Sequence, residues 1–141
     1  MAQERSGLTP STGNLVRAVC LIGALLWAAL LYYLSDQPTV VEIQAFEYQD
    51  KALHLFAYGV LGMLIMGALR ADSNGYRVSQ LLLATVLAGI YGLLDEYHQS
   101  FVPGRDPALG DVVADVAGGL LGALLVYLLA RRSVKADRVR E

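Results

Sequence analysis

At 141 residues the chain has the length of one ordinary domain, but only 17% of it is charged and 55% is hydrophobic, against roughly 25% charged in soluble domains. Its mean hydropathy of +0.46 and its long charge-free runs exclude a water-soluble fold and imply a membrane protein. The net charge of −2 excludes a polybasic nucleic-acid binder, and the single cysteine, Cys20, excludes an internal disulfide or a multi-cysteine metal cage.

Reading from charge to charge gives four apolar windows, 18–34, 52–69, 78–94 and 112–130. Seventeen helical residues rise about 26 Å, close to the roughly 30 Å thickness of the hydrocarbon layer. Tyr32, Tyr33 and Tyr97 at one set of ends, and Tyr76 and Tyr127 at the other, suit the interfacial belts. Backbone groups in lipid must pair within the segment, and no period-2 alternation suggests a barrel. The expected fold is therefore all-α, an integral membrane four-helix bundle. Arg5 and Arg17 before the first window make a passable signal peptide. The long run and the absence of a small-x-small cleavage site in Tyr32-Tyr33-Leu34-Ser35-Asp36 favour a retained anchor.

Basic residues set the orientation. Arg5, Arg17, Arg70, Arg77, Arg131, Arg132, Lys135, Arg138 and Arg140 fall on one side, and only Lys51 and Arg105 on the other. The positive-inside rule puts both termini in the cytoplasm of a plasma (inner) membrane protein. The outer side then carries nine of the thirteen acids, Asp36, Glu42, Glu47, Asp50, Asp95, Glu96, Asp106, Asp111 and Asp115. Residues 1–14 read as a flexible tail, 15–131 as the membrane domain, and 132–141 as a basic cytoplasmic tail that anchors on anionic lipid.

The unusual polar residues gather at the outer ends of helices two, three and four. Asp50, His54 and Tyr58 are spaced i, i+4, i+8 and share a face, with Lys51 beside them. His54 lies a turn inside the apolar layer, and Asp50 is the expected holder of one of its ring nitrogens. In the run Asp95-Glu96-Tyr97-His98-Gln99, Asp95 and His98 are spaced i, i+3, while Tyr91, Asp95 and Gln99 form a second row. Val102-Pro103-Gly104-Arg105 reads as the turn into helix four. There Asp111 and Asp115 are followed on the same face by Gly118, Gly119 and Gly122. The Gly118-x-x-x-Gly122 spacing admits another backbone, within the chain or in a homo-oligomer. Asp115 then points at protein, where an ionisable group is a functional candidate, and Arg105 is its expected counter-ion through a bidentate pair.

These residues resemble the VanZ-like family of small integral membrane proteins. The likeness rests on Ser35-Asp36-Gln37-Pro38, on Asp50-Lys51-x-x-His54-x-Phe56-x-Tyr58-x-x-Leu61-Gly62, on Asp95-Glu96-Tyr97-His98-Gln99-x-Phe101-Val102-Pro103-Gly104-Arg105, and on Asp111-Val112-x-Ala114-Asp115-x-x-Gly118. Ala108 and Asp115 depart from it, standing where relatives often carry a hydroxyl residue and Asn. The resemblance implies a cell-envelope role; the family takes its name from a protein associated with resistance to the glycopeptide teicoplanin.

Three functions are open at this point. An outward-facing site that binds or modulates a lipid-linked or glycan headgroup would draw on Asp50, Lys51, His54, Tyr58, Asp95, Glu96, His98, Gln99, Arg105, Asp111 and Asp115. A membrane-embedded enzyme would use His54, Asp95 and His98 for acid–base work. A structural subunit would use the polar groups to knit helices. Asp50, His54, Asp95, His98, Asp111 and Asp115 are the side chains suited to a metal, but without a dense ligand motif no metal or cofactor is expected. Partners are the lipid bilayer and an envelope ligand, with no nucleic acid.

Overall fold

The computed structural model describes residues 10–38, 48–69 and 75–140, which form four helices: α1 (Pro10–Ser35), α2 (Gln49–Ala68), α3 (Val78–Gln99) and α4 (Leu109–Arg140). The charges placed on Glu4, Arg5, Glu42, Glu47, Arg70, Asp72 and Glu141, and residues 1–9 of the expected tail, lie outside the described residues. Each helix contains a stretch long and apolar enough to cross a membrane. All four apolar windows fall on these helices, save Leu69, which is the C-cap of α2.

Five helix ends run past the charges that bounded the windows; α2 and α4 begin two residues before Lys51 and Asp111, at Gln49 and Leu109, and the other three extend further. α1 starts at Pro10, inside the stretch read as tail, with Pro in the first turn, where its missing N–H costs nothing. α3 continues through Asp95 and Glu96 to Gln99, where Gln99 bonds Asp95 and Ser35 of α1 and Glu96 bonds the Ala108 N–H ahead of α4. α4 continues through the basic residues to Arg140, so residues 132–140 of the segment read as a basic tail are helical. Between α3 and α4 the chain turns at Val102-Pro103-Gly104-Arg105. The Arg105 N–H donates to the Val102 carbonyl (3.2 Å), and Gly104 supplies the positive φ, 80°.

Neighbouring helices alternate in direction. α2 packs on all three others, α4 packs on α2 and α3, and α1 leans chiefly on α2. The core mixes alanines with a few large side chains. One cluster holds Ala24, Leu31, Tyr58, Leu61 and Ala88; a second, nearer the chain ends, holds Met66, Leu81, Ala84, Ala123 and Tyr127. Large aliphatic side chains instead point outward along every helix, among them Leu25, Leu53, Leu82 and Leu121. In lipid an outward Leu loses nothing, so the helices are held by close packing and hydrogen bonds.

The tightest packing is the α2–α4 seam, where backbone meets backbone. A Cβ on Gly118 would strike the Leu55 carbonyl oxygen, one on Gly122 the Gly59 carbonyl oxygen, and one on Gly62 the Gly119 carbonyl oxygen. The Gly118/Gly122 face, considered for a homo-oligomer, is thus covered by α2 of the same chain and is closed to a second copy. Two side chains cross-link the interior: Trp27 Nε1–H donates to the Ala57 carbonyl (2.8 Å) and the Tyr91 hydroxyl to the Ala28 carbonyl (2.5 Å).

Candidate functional site

The polar residues meet at the bundle end opposite the start of α1 and the end of α4, where α1 and α3 finish and α2 and α4 begin. Four carboxyl side chains are buried there, Asp95, Glu96, Asp111 and Asp115, together with Ser35 and Gln99. Asp115 has no exposed surface. It sits against Gly92 of α3, and a Cβ at Gly92 would occupy the place of its carboxyl group. The missing side chain on α3 therefore makes the room for the acid on α4.

His54 of α2 stands at the centre. Its Nδ1 is 2.9 Å from Asp115 Oδ1, and its Nε2 is 3.9 Å from Glu96 Oε1. The ring lies nearly parallel to Tyr58, one turn further along α2 (3° between planes, centroids 6.1 Å). The expectation that Asp50 holds His54 is overturned: the Asp50 carboxylate bonds Lys51 Nζ at 3.0 Å. Lys51 also reaches Asp111 Oδ1 at 3.0 Å, tying the first turns of α2 and α4 together. The aliphatic part of Lys51 lies over Gly110, whose Cβ would meet Lys51 Cε at 2.9 Å.

Glu96 has two differently placed oxygens. Oε2 accepts the Ala108 N–H at 3.0 Å, immediately ahead of α4. Ala108 has no side chain that can cap a helix, so a carboxylate from α3 does this for α4, at the end where the helix dipole favours negative charge. Oε1 faces His54 and has no hydrogen-bond partner; Tyr58 Oη and Asp115 Oδ2 are buried in the same condition. His54, Glu96 and Asp111 each offer a ligand atom, and the three atoms lie within 4.8 Å of one another.

The Asp95–Gln99 row is held together as its spacing predicts. Gln99 Nε2–H donates to Asp95 Oδ2 (3.2 Å) and to Ser35 Oγ (2.6 Å), locking α3 to the end of α1. His98, grouped at first with Asp95, turns the other way. Its Nε2 is 3.2 Å from Asp36 Oδ1, and its ring stacks on Tyr32 at 4.6 Å. Arg105 does not pair with Asp115. Its guanidinium donates to the carbonyls of Leu34 (2.7 Å) and Gln37 (3.0 Å), closing the carbonyl end of α1. The reason is distance in the fold: Asp115 lies a full turn inside α4, against α3 and α2, whereas the turn bearing Arg105 lies over the end of α1.

The structure thus brings together His54, Asp115, Glu96, Asp111, Lys51 and Asp50, with Tyr58 alongside, and joins Asp95 and Gln99 to α1. It sets His98 and Arg105 on the α1 side. Ser35 and Gly92 were missed. Ser35 was signalled by its polar position after an apolar run, whereas nothing in the sequence marks Gly92 as the partner of Asp115.

A protein-family model described as VanZ/LLP1 matches residues 20–130, a stretch that contains every residue of this cluster. The chain belongs to the VanZ/LLP1 family. No curated protein and no solved structure gives a significant match. With four helices long and apolar enough to cross a bilayer, this VanZ/LLP1 member is a multi-pass membrane protein.

Proposed function

We propose that this VanZ/LLP1 protein binds the polar headgroup of a lipid-linked or glycan envelope component at the extracytoplasmic end of its bundle. One observation carries the reading: at that end Tyr58 Oη, Glu96 Oε1 and Asp115 Oδ2 are buried without hydrogen-bond partners. Leaving a buried polar group unsatisfied costs about 1–3 kcal/mol, so three together favour a ligand that satisfies them. Lys51 adds a donor, and the apolar flank of the bundle gives a lipid-attached ligand a lateral approach. The outward orientation rests on the basic residues, nine at the end of the chain termini and two at the site end. Both termini are then cytoplasmic, and the cell envelope is the compartment served.

The test has two arms. Asp106→Cys in a Cys20→Ser background should react with a membrane-impermeant maleimide on intact cells; reaction only after lysis refutes the orientation. In nanodiscs, a lipid-linked sugar should raise the unfolding midpoint by mass action on the native state. Equal shifts with plain anionic lipid refute headgroup recognition.

A second reading is favoured by the His54–Asp115 pair. A carboxylate that orients an imidazole, leaving the other ring nitrogen toward the site, is the material of general acid–base catalysis. Turnover of the lipid-linked sugar, lost in His54→Gln and retained in His98→Gln, would establish it; binding without turnover would exclude it for that substrate.

A further inference from the structure

We propose that His54, Glu96 and Asp111 hold a divalent transition-metal ion of the zinc class, with Asp115 as the residue that orients the histidine. The argument starts from proton positions. An ionised Asp115 can only accept, so the 2.9 Å contact with His54 Nδ1 places the imidazole proton on Nδ1. In its neutral form the ring then presents a bare lone pair at Nε2. What faces that lone pair at 3.9 Å is Glu96 Oε1, a second acceptor, buried and without a hydrogen-bond partner. Two acceptor atoms 3.9 Å apart, too far for a hydrogen bond, favour a positive charge between them.

The surroundings supply too little of it. Asp95, Glu96, Asp111 and Asp115 are all buried, and the lysine at hand, Lys51, is already divided between Asp50 and Asp111. Buried carboxylates in such excess are costly unless a cation offsets them. The third donor is Asp111, completing a set within 4.8 Å. Ligands at about 2.1 Å from a tetrahedral ion stand about 3.4 Å apart, and small side-chain rotations close the difference. One imidazole and two carboxylates suit zinc or manganese better than calcium. The carboxylate behind the histidine matches the usual support of metal-bound imidazoles, which donate their other ring N–H to an acid.

This site goes beyond headgroup binding and does not require it, since the ion is tested alone. The purified full chain, stripped with chelator and exchanged into detergent, is titrated with Zn²⁺, with Mn²⁺ and Mg²⁺ in parallel, and metal content is measured by mass spectrometry. Expected is saturation at one Zn²⁺ per chain, at least tenfold weaker binding in Glu96→Gln and in Asp111→Asn, and unchanged binding in Asp36→Asn, whose carboxylate serves His98. Co²⁺ in place of zinc should give visible absorption bands, lost in Glu96→Gln, while circular dichroism confirms that the variant is folded. Absence of saturable binding up to millimolar Zn²⁺ overturns the site and indicates that a proton on His54 supplies the charge. So does equal binding by wild type and Glu96→Gln, or equal weakening by Asp36→Asn.

Discussion

Placing a methyl group at Gly122 distinguishes contact between backbones from ordinary side-chain packing. The added Cβ would overlap the Gly59 carbonyl oxygen, which is fixed in the hydrogen-bond ladder of α2 and cannot rotate away. Relief requires the axes of α2 and α4 to separate by on the order of an ångström. A radial gap of 0.5–1 Å already forfeits about a quarter to a half of each contact's attraction. The same separation loosens Gly118 on Leu55 and Gly62 on Gly119. Gly122→Ala is therefore expected near the upper end of the overpacking range, about 2–3 kcal/mol. The contrast comes from the same seam: a Cβ on Gly59 would stand 3.6 Å from the Gly118 carbonyl oxygen, an ordinary contact. Gly59→Ala should then lie within about 0.5 kcal/mol of wild type, and Gly13→Ala, with nothing within 4 Å, serves as the blank. Reversible unfolding in mixed micelles by SDS titration measures all three. Wild-type stability in Gly122→Ala, or equal losses at Gly122 and Gly59, would refute the backbone-contact account.

Asp115→Asn keeps an oxygen that can accept the His54 Nδ1–H and should cost under about 1 kcal/mol, whereas Asp115→Leu strands that donor and should cost about 1–3 kcal/mol; equal stabilities by the same titration would contradict this. Arg105→Ala should destabilise by about 1–3 kcal/mol, since two carbonyls at the end of α1 lose a charged donor. Arg105→Lys should recover only part of this, because a point charge does not reproduce the fork; full recovery would show that charge alone matters. Gln99→Leu removes the donor shared by Ser35 and Asp95 and should speed hydrogen exchange at the end of α1; an unchanged rate would mean that Gln99 does not hold α1.

Four spans were legible because charges bound each apolar run, and convergence of the polar residues followed from their position at one set of helix ends. Two rows within a helix followed from 3.6 residues per turn, Asp95 with Gln99 and His54 with Tyr58. A third did not: Asp50 shares the face of His54 on α2, yet it bonds Lys51 while His54 turns to Asp115 on α4. The pairing of Arg105 with Asp115, made by sign of charge, failed as well. The outcome depended on how far each helix is rotated about its axis, which is set by contacts such as Gly122 on Gly59 and Asp115 in the hollow at Gly92. Sequence spacing also says nothing about a carbonyl as partner, yet carbonyls are what Arg105, Trp27 and Tyr91 bind.

The glycine seam has a mechanical consequence. Two rods in backbone contact cannot slide without their carbonyls riding over each other, so α2 and α4 behave as one stiff body carrying His54, Lys51, Asp111 and Asp115 in fixed array. α1 is the least buried of the spans, at 11%, and is fastened near the site by Gln99–Ser35 and Arg105. Compliance in the bundle is therefore expected in α1, away from its fastened end, while the array of charged groups keeps its shape.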